Sequence, residues 1–113
     1  MAINYKNQGY DLATTALTTV LTISTSTVAI LKEISVTNDD NSAHKVDYFF
    51  TDVSTSTSYK FYHTNVPADS HDNAVHNALV LEEGDFLQFQ ADTSNVISGQ
   101  ISYALLSRTG ENG

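Results

Sequence analysis

The stretch Val28-Ala-Ile-Leu-Lys-Glu-Ile-Ser-Val-Thr-Asn38 decides the fold. Ile30, Lys32, Ile34, Val36 and Asn38 share one parity, and Leu31, Glu33, Ser35 and Thr37 share the other. A period of two is that of a β-strand with one face turned to a core. Lys32 falls in the apolar row, which predicts the end of a sheet or a bulge before Ile34. The strand stops at Asn38-Asp-Asp-Asn-Ser42, where Asn and Asp side chains close Asx-turns and tolerate positive φ.

Downstream, His44 to Asp52 sets Val46, Tyr48 and Phe50 against Lys45, Asp47, Phe49 and Thr51. A hydroxyl-rich turn, Ser54-Thr-Ser-Thr-Ser58, leads to Tyr59 through Val66, so the two segments read as an antiparallel hairpin. This hairpin holds six of the eleven aromatic residues. Pro67 to Asp72 reads as a loop, Ala74 to Leu81 as a strand, and Glu82-Glu-Gly-Asp85 as a tight turn with Gly84 free to take positive φ. Phe86 to Ala91 and Val96 to Leu106 complete the series, with Gly99 marking a bulge or a close approach of backbones.

Upstream, Thr18 to Ser24 alternates well and Tyr10 to Thr14 reads as a short first strand. Residues 1–9 are polar and read as an N-terminal arm that reaches a neighbouring subunit. Residues 10–107 then form one domain and 108–113 a frayed tail. About eight short strands at regular spacing predict an all-β fold, an antiparallel two-sheet β-sandwich of jelly-roll-like or Ig-like winding. Strand order is not legible at this stage.

Composition agrees and removes several functions. The 113 residues hold 14 Thr and 12 Ser, and 16% are charged, against roughly 25% in an average domain. Zero cysteines exclude a disulfide scaffold, a thiolate metal site and cysteine catalysis. A net charge of −8 argues against nucleic-acid binding, which needs clustered Lys and Arg. The longest mostly apolar stretch, Thr27 to Leu31, is far too short to span a bilayer, and no signal peptide is visible, so the expectation is a soluble protein made in a cytoplasm without a membrane partner.

No constellation carries recognisable chemistry. His44, His63, His71 and His76 lack the local spacing that places metal ligands on one face, although His71 and His76 flank a loop with Asp69 and Asp72 nearby. Asp39-Asp40 lacks the order of a calcium loop. Glu82, Glu83 and Asp85 read as a solvated turn rather than a glycosidase pair. Neither Gly-x-Ser-x-Gly nor a phosphate loop occurs. The expectation is a protein without enzymatic activity and without a cofactor or metal.

The segments Val28 to Asn38, Val66-Pro-Ala-Asp-Ser70, Leu79-Val-Leu-Glu-Glu-Gly-Asp-Phe-Leu87 and Ile97 to Leu106 resemble a pattern found in short virion proteins of tailed bacteriophages. The resemblance covers most of the chain from Thr18 onward and brings no catalytic residues. It implies a small sandwich that assembles on the particle, as a head decoration (cement) protein or a tail, neck or fibre-attachment component. A carbohydrate- or receptor-binding module is the rival. A surface rich in hydroxyls and poor in charge is cheap to desolvate, which suits packing against copies of itself, as a homotrimer, and against a major capsid protein. The expected contact residues are Tyr48, Phe50, Tyr59, Phe61 and Tyr62 of the hairpin, with His71 and His76 of the loop. Histidines in such a contact would make assembly respond to acidification.

Overall fold

A computed structural model describes residues 2–75 and 78–107 of the chain. Among these residues there are nine strands and no helix: β1 (Ala2–Leu12), β2 (Thr18–Thr22), β3 (Thr27–Asn38), β4 (His44–Asp52), β5 (Thr57–Val66), β6 (Ser70–Asn73), β7 (Leu79–Leu81), β8 (Phe86–Ala91) and β9 (Ile97–Ser107). Every pairing is antiparallel. One sheet, sheet A, has the order β1-β9-β3-β6 with β7 also on β3, and the other, sheet B, has the order β2-β8-β4-β5.

The winding follows from these pairings. β4 pairs with β5, β3 with β6 and β7, β2 with β8, and β1 with β9. The chain is therefore one long hairpin folded at residues 53–56, with successive rungs assigned to alternate sheets. That is a jelly roll, the first of the two sandwich windings the sequence left open. β6 and β7 share one strand position, each pairing with a different half of β3.

The alternation of β3 becomes burial. Ala29, Leu31, Ile34 and Val36 are fully buried, and the parity change between Leu31 and Ile34 is absorbed by the bulge expected at Lys32. The register on β9 shifts between Leu31 and Glu33, which leaves Lys32 exposed and returns Ile34 to the core. Leu12, Ile97 and Ile101 join this layer from sheet A, facing Val46, Tyr48, Leu87 and Phe89 from sheet B. Phe89 is the hub, in edge contact with Tyr10 (5.0 Å between centroids) and Tyr48 (4.7 Å).

Three expectations are corrected. Residues 2–9 are not a free arm: they form most of β1 and pair along β9 from Ser107 to Gln100. Residues 3–9 are exposed, because β2, only five residues long, does not reach over them. Backbone hydrogen bonds hold this segment, so hydrophobic alternation could not reveal it. Likewise Ser70 to Asp72, placed in a loop, belong to edge strand β6, and of the described residues between Ala74 and Leu81 only Leu79–Leu81 pairs as a strand. The tail at 108–113 lies outside the described residues.

Polar side chains close the two ends. Asn38, 1% exposed, donates from Nδ2 to the carbonyls of Ser42 (2.8 Å), Val66 (3.0 Å) and Pro67 (3.2 Å), while its Oδ1 accepts from the Asp40 amide (3.0 Å). At the opposite end Asp85, also buried, accepts from the amides of Val53 (3.1 Å) and Glu82 (2.9 Å). Gly84 takes φ of 82° in that turn, as expected.

Candidate interaction surfaces

What the fold offers for interaction is its surfaces. In antiparallel sheets, residues directly opposite share a face, so the registers give the outward rows. On sheet A one row runs Tyr5, Ala104, Ile30, Val80 across β1, β9, β3 and β7. The next runs Ile3, Leu106, Val28. Tyr5 is 83% exposed, and Ile3 and Val80 are each 53% exposed. Farther along the same face the rows turn polar: Gly9, Gln100, Ser35, Asn73, then Asp11, Ser98, Thr37, His71.

This divided face has a sequence signal that alternation alone hides. Val28-Ala-Ile-Leu31, Tyr103-Ala-Leu-Leu106 and Leu79-Val-Leu81 are apolar on both parities. Continuous apolar runs belong to strands covered on both faces. Here one face is covered by sheet B and the other is open. β1 is also an edge strand, eleven residues long, with Lys6 and Asp11 as its only charges, which leaves a long unpaired backbone beside the apolar rows.

The outer face of sheet B is different. Its rows are Lys45 with Asn65, then Gln90, Asp47 and His63, then Thr19, Gln88, Phe49 and Lys60. Lys60 sits 5.6 Å over the Phe49 ring and 3.7 Å from the Asp47 carboxylate. Two shallow depressions of about 290 and 250 Å³ flank β4 and share Lys45 and Asp47 as walls.

At the rim, His44 is held between two carboxylates, with Nε2 2.6 Å from Asp40 Oδ2 and Nδ1 2.8 Å from Asp92 Oδ1. Both ring nitrogens donate only in the imidazolium, and the Asp40 hydrogen bond leads the effects that raise its pKa above the ordinary 6.5. The same bond is the main cause that lowers the Asp40 pKa below 3.8.

The expected contact residues are dispersed. Tyr48 is fully buried in the core, so it is corrected from contact to packing residue. Phe50, Phe61 and Tyr62 are half-buried and packed against that core. Tyr59 is 47% exposed and stacks on Phe50 at 5.4 Å. His71 is exposed on the polar part of the sheet A face, and His76 lies outside the described residues. His44, His63 and His71 occupy three separate places and share no site. Among the described residues, the one group of three candidate metal-ligating side chains is Asp52, Glu82 and Asp85. Both Asp85 oxygens already accept backbone amides, and Asp52 Oδ1 accepts from Ser54, so these groups serve the turns.

No family model and no curated protein matches the sequence. Solved structures do share the fold. A capsid structure of Helicobacter pylori bacteriophage KHP30 superposes with a TM-score of 0.59 at 11% identity, over 96% of this chain and 90% of that one. The Drosophila NLP-core, described for pentamer formation and histone binding, gives 0.53 at 11% identity, over 91% and 98%. Bacillus endospore appendages, described as disulfide-linked pili, give 0.52 at 13% identity, over 91% and 85%. At these identities the likeness is one of fold: this chain is an all-β sandwich similar to subunits of a phage capsid and of a pilus.

Proposed function

We propose that this protein is a non-enzymatic structural component of a bacteriophage particle. In this reading it decorates the outside of the head, as a homotrimer, and reinforces contacts between shell subunits. The observation that carries the reading is the apolar end of the sheet A outer face, where Tyr5, Ile30 and Val80 line up across four strands with Ile3, Val28 and Leu106 beside them. Exposed apolar area that is contiguous and rimmed by polar residues marks a surface meant to be covered. A flat protein shell can cover it, and the hydroxyl-rich surroundings desolvate at low cost. The phage-like sequence segments and the capsid-like fold support the virion as the setting, and the neighbours described as pili and a pentamer use the same sandwich as a repeated block. The charge of −8 keeps free copies apart before assembly.

Mixing purified protein with undecorated heads tests the proposal. Binding should protect the heads against heat, and Tyr5→Ser with Val80→Ser should abolish binding while leaving the fold intact. Hundreds of copies per particle fit decoration; 3, 6 or 12 would move the protein to the tail or neck. Failure to bind any shell would refute it. Sedimentation of the free protein reads the trimer directly.

A further inference from the structure

Strand β1 presents an edge that no strand among the described residues covers, and its sequence is matched to itself. Its register on β9 runs unbroken through eleven residue pairs, and it contains no proline. Residues 3–9 are exposed at odd and even positions alike, so both faces of this segment are open. The other edges are guarded. β6 has four residues and β7 three, and β2 has five with a register shift. β5 is ten residues long, but it is bulged against β4 and carries Lys60 and His63. Shortness, bulges and edge charge are the devices that keep sheet edges from pairing. β1 is long and unbulged, with Lys6 and Asp11 as its two charges.

Gly9 gives a second, independent sign. Glycine inside a strand weakens it and marks a bulge, a bend or the close approach of another group. The β1 register has no shift at Gly9, and its φ is not positive. A Cβ at this position would meet the Gly99 carbonyl oxygen at 3.9 Å, an ordinary contact. Nothing among the described residues of its own copy therefore asks for a glycine. The approaching group comes from outside.

Length and symmetry identify that group. Among the edges just described, only β1 matches β1 in length without a bulge, so the partner strand is the β1 of a second copy. Antiparallel pairing about a two-fold axis normal to the sheet keeps outer residues opposite outer residues. An axis through Lys6 sets Lys6 against itself, and like charges directly opposite repel. An axis through Asn7 pairs the whole strand, from Ala2 against Leu12 inward. It sets Lys6 against Gln8, Ile3 against Asp11, and Tyr5, 83% exposed, against Gly9. The Tyr5 ring then covers the bare backbone of Gly9, as aromatic residues do for glycines in edge strands, and it does so twice in one contact. Eleven facing pairs exchange roughly ten to twelve backbone hydrogen bonds, the number found in a typical specific interface. Sheet B packs on β1 at Tyr10 and Leu12. The Tyr10 residues of the two copies stand roughly 20 Å apart along the paired strands, so the second layers do not collide.

We propose that β1 is a pairing edge for a second copy of this chain, joined β1 to β1 in antiparallel fashion about a two-fold axis at Asn7. The contact needs no phage head, so it stands apart from the reading above; where copies also meet at a three-fold contact, it ties one trimer to the next. Sedimentation at rising concentration tests it. The parent should reach an even number of copies. Asn7→Lys, which opposes two ammonium groups at the axis, should halve that number with unchanged circular dichroism. The native chain has no cysteine, so Asn7→Cys should give a disulfide-linked dimer under mild oxidation. Ser58→Cys, exposed on the β5 edge, should not. The pairing is overturned if the parent stays a single copy or a trimer at every concentration, if Asn7→Lys sediments as the parent does, or if the two cysteine variants cross-link alike. A parent that stays single, with β1 amides protected from exchange only on undecorated heads, also overturns it and gives the edge to a segment of the shell.

Discussion

The hydroxyl of Tyr10 donates to the carbonyl of Ser35 at 2.6 Å, reaching from β1 to β3 across the intervening strand β9. It can do so because the residue between them, opposite both Tyr10 and Val36, is Gly99. A Cβ at position 99 would run into the Ser35 carbonyl and the Tyr10 hydroxyl. Gly99→Ala should therefore destabilise the sandwich by roughly 1–3 kcal/mol or more, the range for overpacking a well-filled core. Tyr10→Phe, which only removes the bond, should lose about 1 kcal/mol. Thermal melts of the two variants give the comparison, and an unperturbed Gly99→Ala would show that the backbones at this crossing can part.

Tyr48 supplies the opposite case in the same core. It is fully buried, and its hydroxyl finds no hydrogen-bond partner. The neighbouring Tyr10 gives its proton to Ser35. Burial is the largest of the effects that drive the Tyr48 phenol upward in pKa, so it stays neutral at any ordinary pH. Replacing an unpaired buried hydroxyl by hydrogen removes a desolvation penalty. Tyr48→Phe should keep or raise the melting temperature, by up to roughly 4–8 °C per kcal/mol gained. A clear fall would show that the hydroxyl is paired.

These residues also show where the sequence was legible. The inward rows of β4 and β8 alternate and that of β3 changes parity at Lys32, so the fold class was legible in the residues, with Lys32 marking either the end of a sheet or the bulge that is found there. The long-range partners were not, because Gly99 announces only that something comes close and Ser35 contributes a carbonyl that every residue has. Strand β1 escaped because an edge strand held by backbone pairing carries no burial pattern. Tyr48 was misplaced for a related reason: aromatic content on the hairpin marked the core around it, whereas the exposed apolar rows reside in runs such as Val28 to Leu31 that read as ordinary strand interior.

The His44 latch predicts a pH window. The His44 pKa is raised, so its stabilisation is complete below the unfolded value of 6.5 and is lost as pH climbs through the raised folded value. The Asp40 pKa is lowered, so its share is complete above 3.8 and is lost as pH falls through the lowered folded value. The turn at residues 39–43 and the 92–96 turn should thus be held most firmly between pH 3.8 and 6.5. Amide protection factors in both turns, which remove the intrinsic base-catalysed rise in exchange, should fall above that window. His44→Gln should abolish this alkaline fall; protection factors that stay flat as pH rises from 5 to 8 and beyond in the parent protein would refute the latch.

Asp72 joins the two sheets on the side where β5 and β6 are both edges. Its Oδ2 accepts from Tyr62 (3.0 Å) and Thr64 (2.7 Å) of sheet B, while it belongs to sheet A, and its Oδ1 accepts from the Asn73 amide (2.8 Å). Hydrogen bonds to a carboxylate are among the stronger ones, and the bonds from Tyr62 and Thr64 cross a seam that no backbone ladder bridges. Asp72→Ala should destabilise by roughly 2 kcal/mol, with Asp72→Asn intermediate because an amide oxygen still accepts. The Tyr62 phenol gives a local readout. Burial is the first cause of its raised pKa and the Asp72 hydrogen bond the second, so Asp72→Ala should lower its titration midpoint without returning it to 10.0. An unchanged midpoint together with an unchanged melting temperature would mean that the seam is held by packing alone.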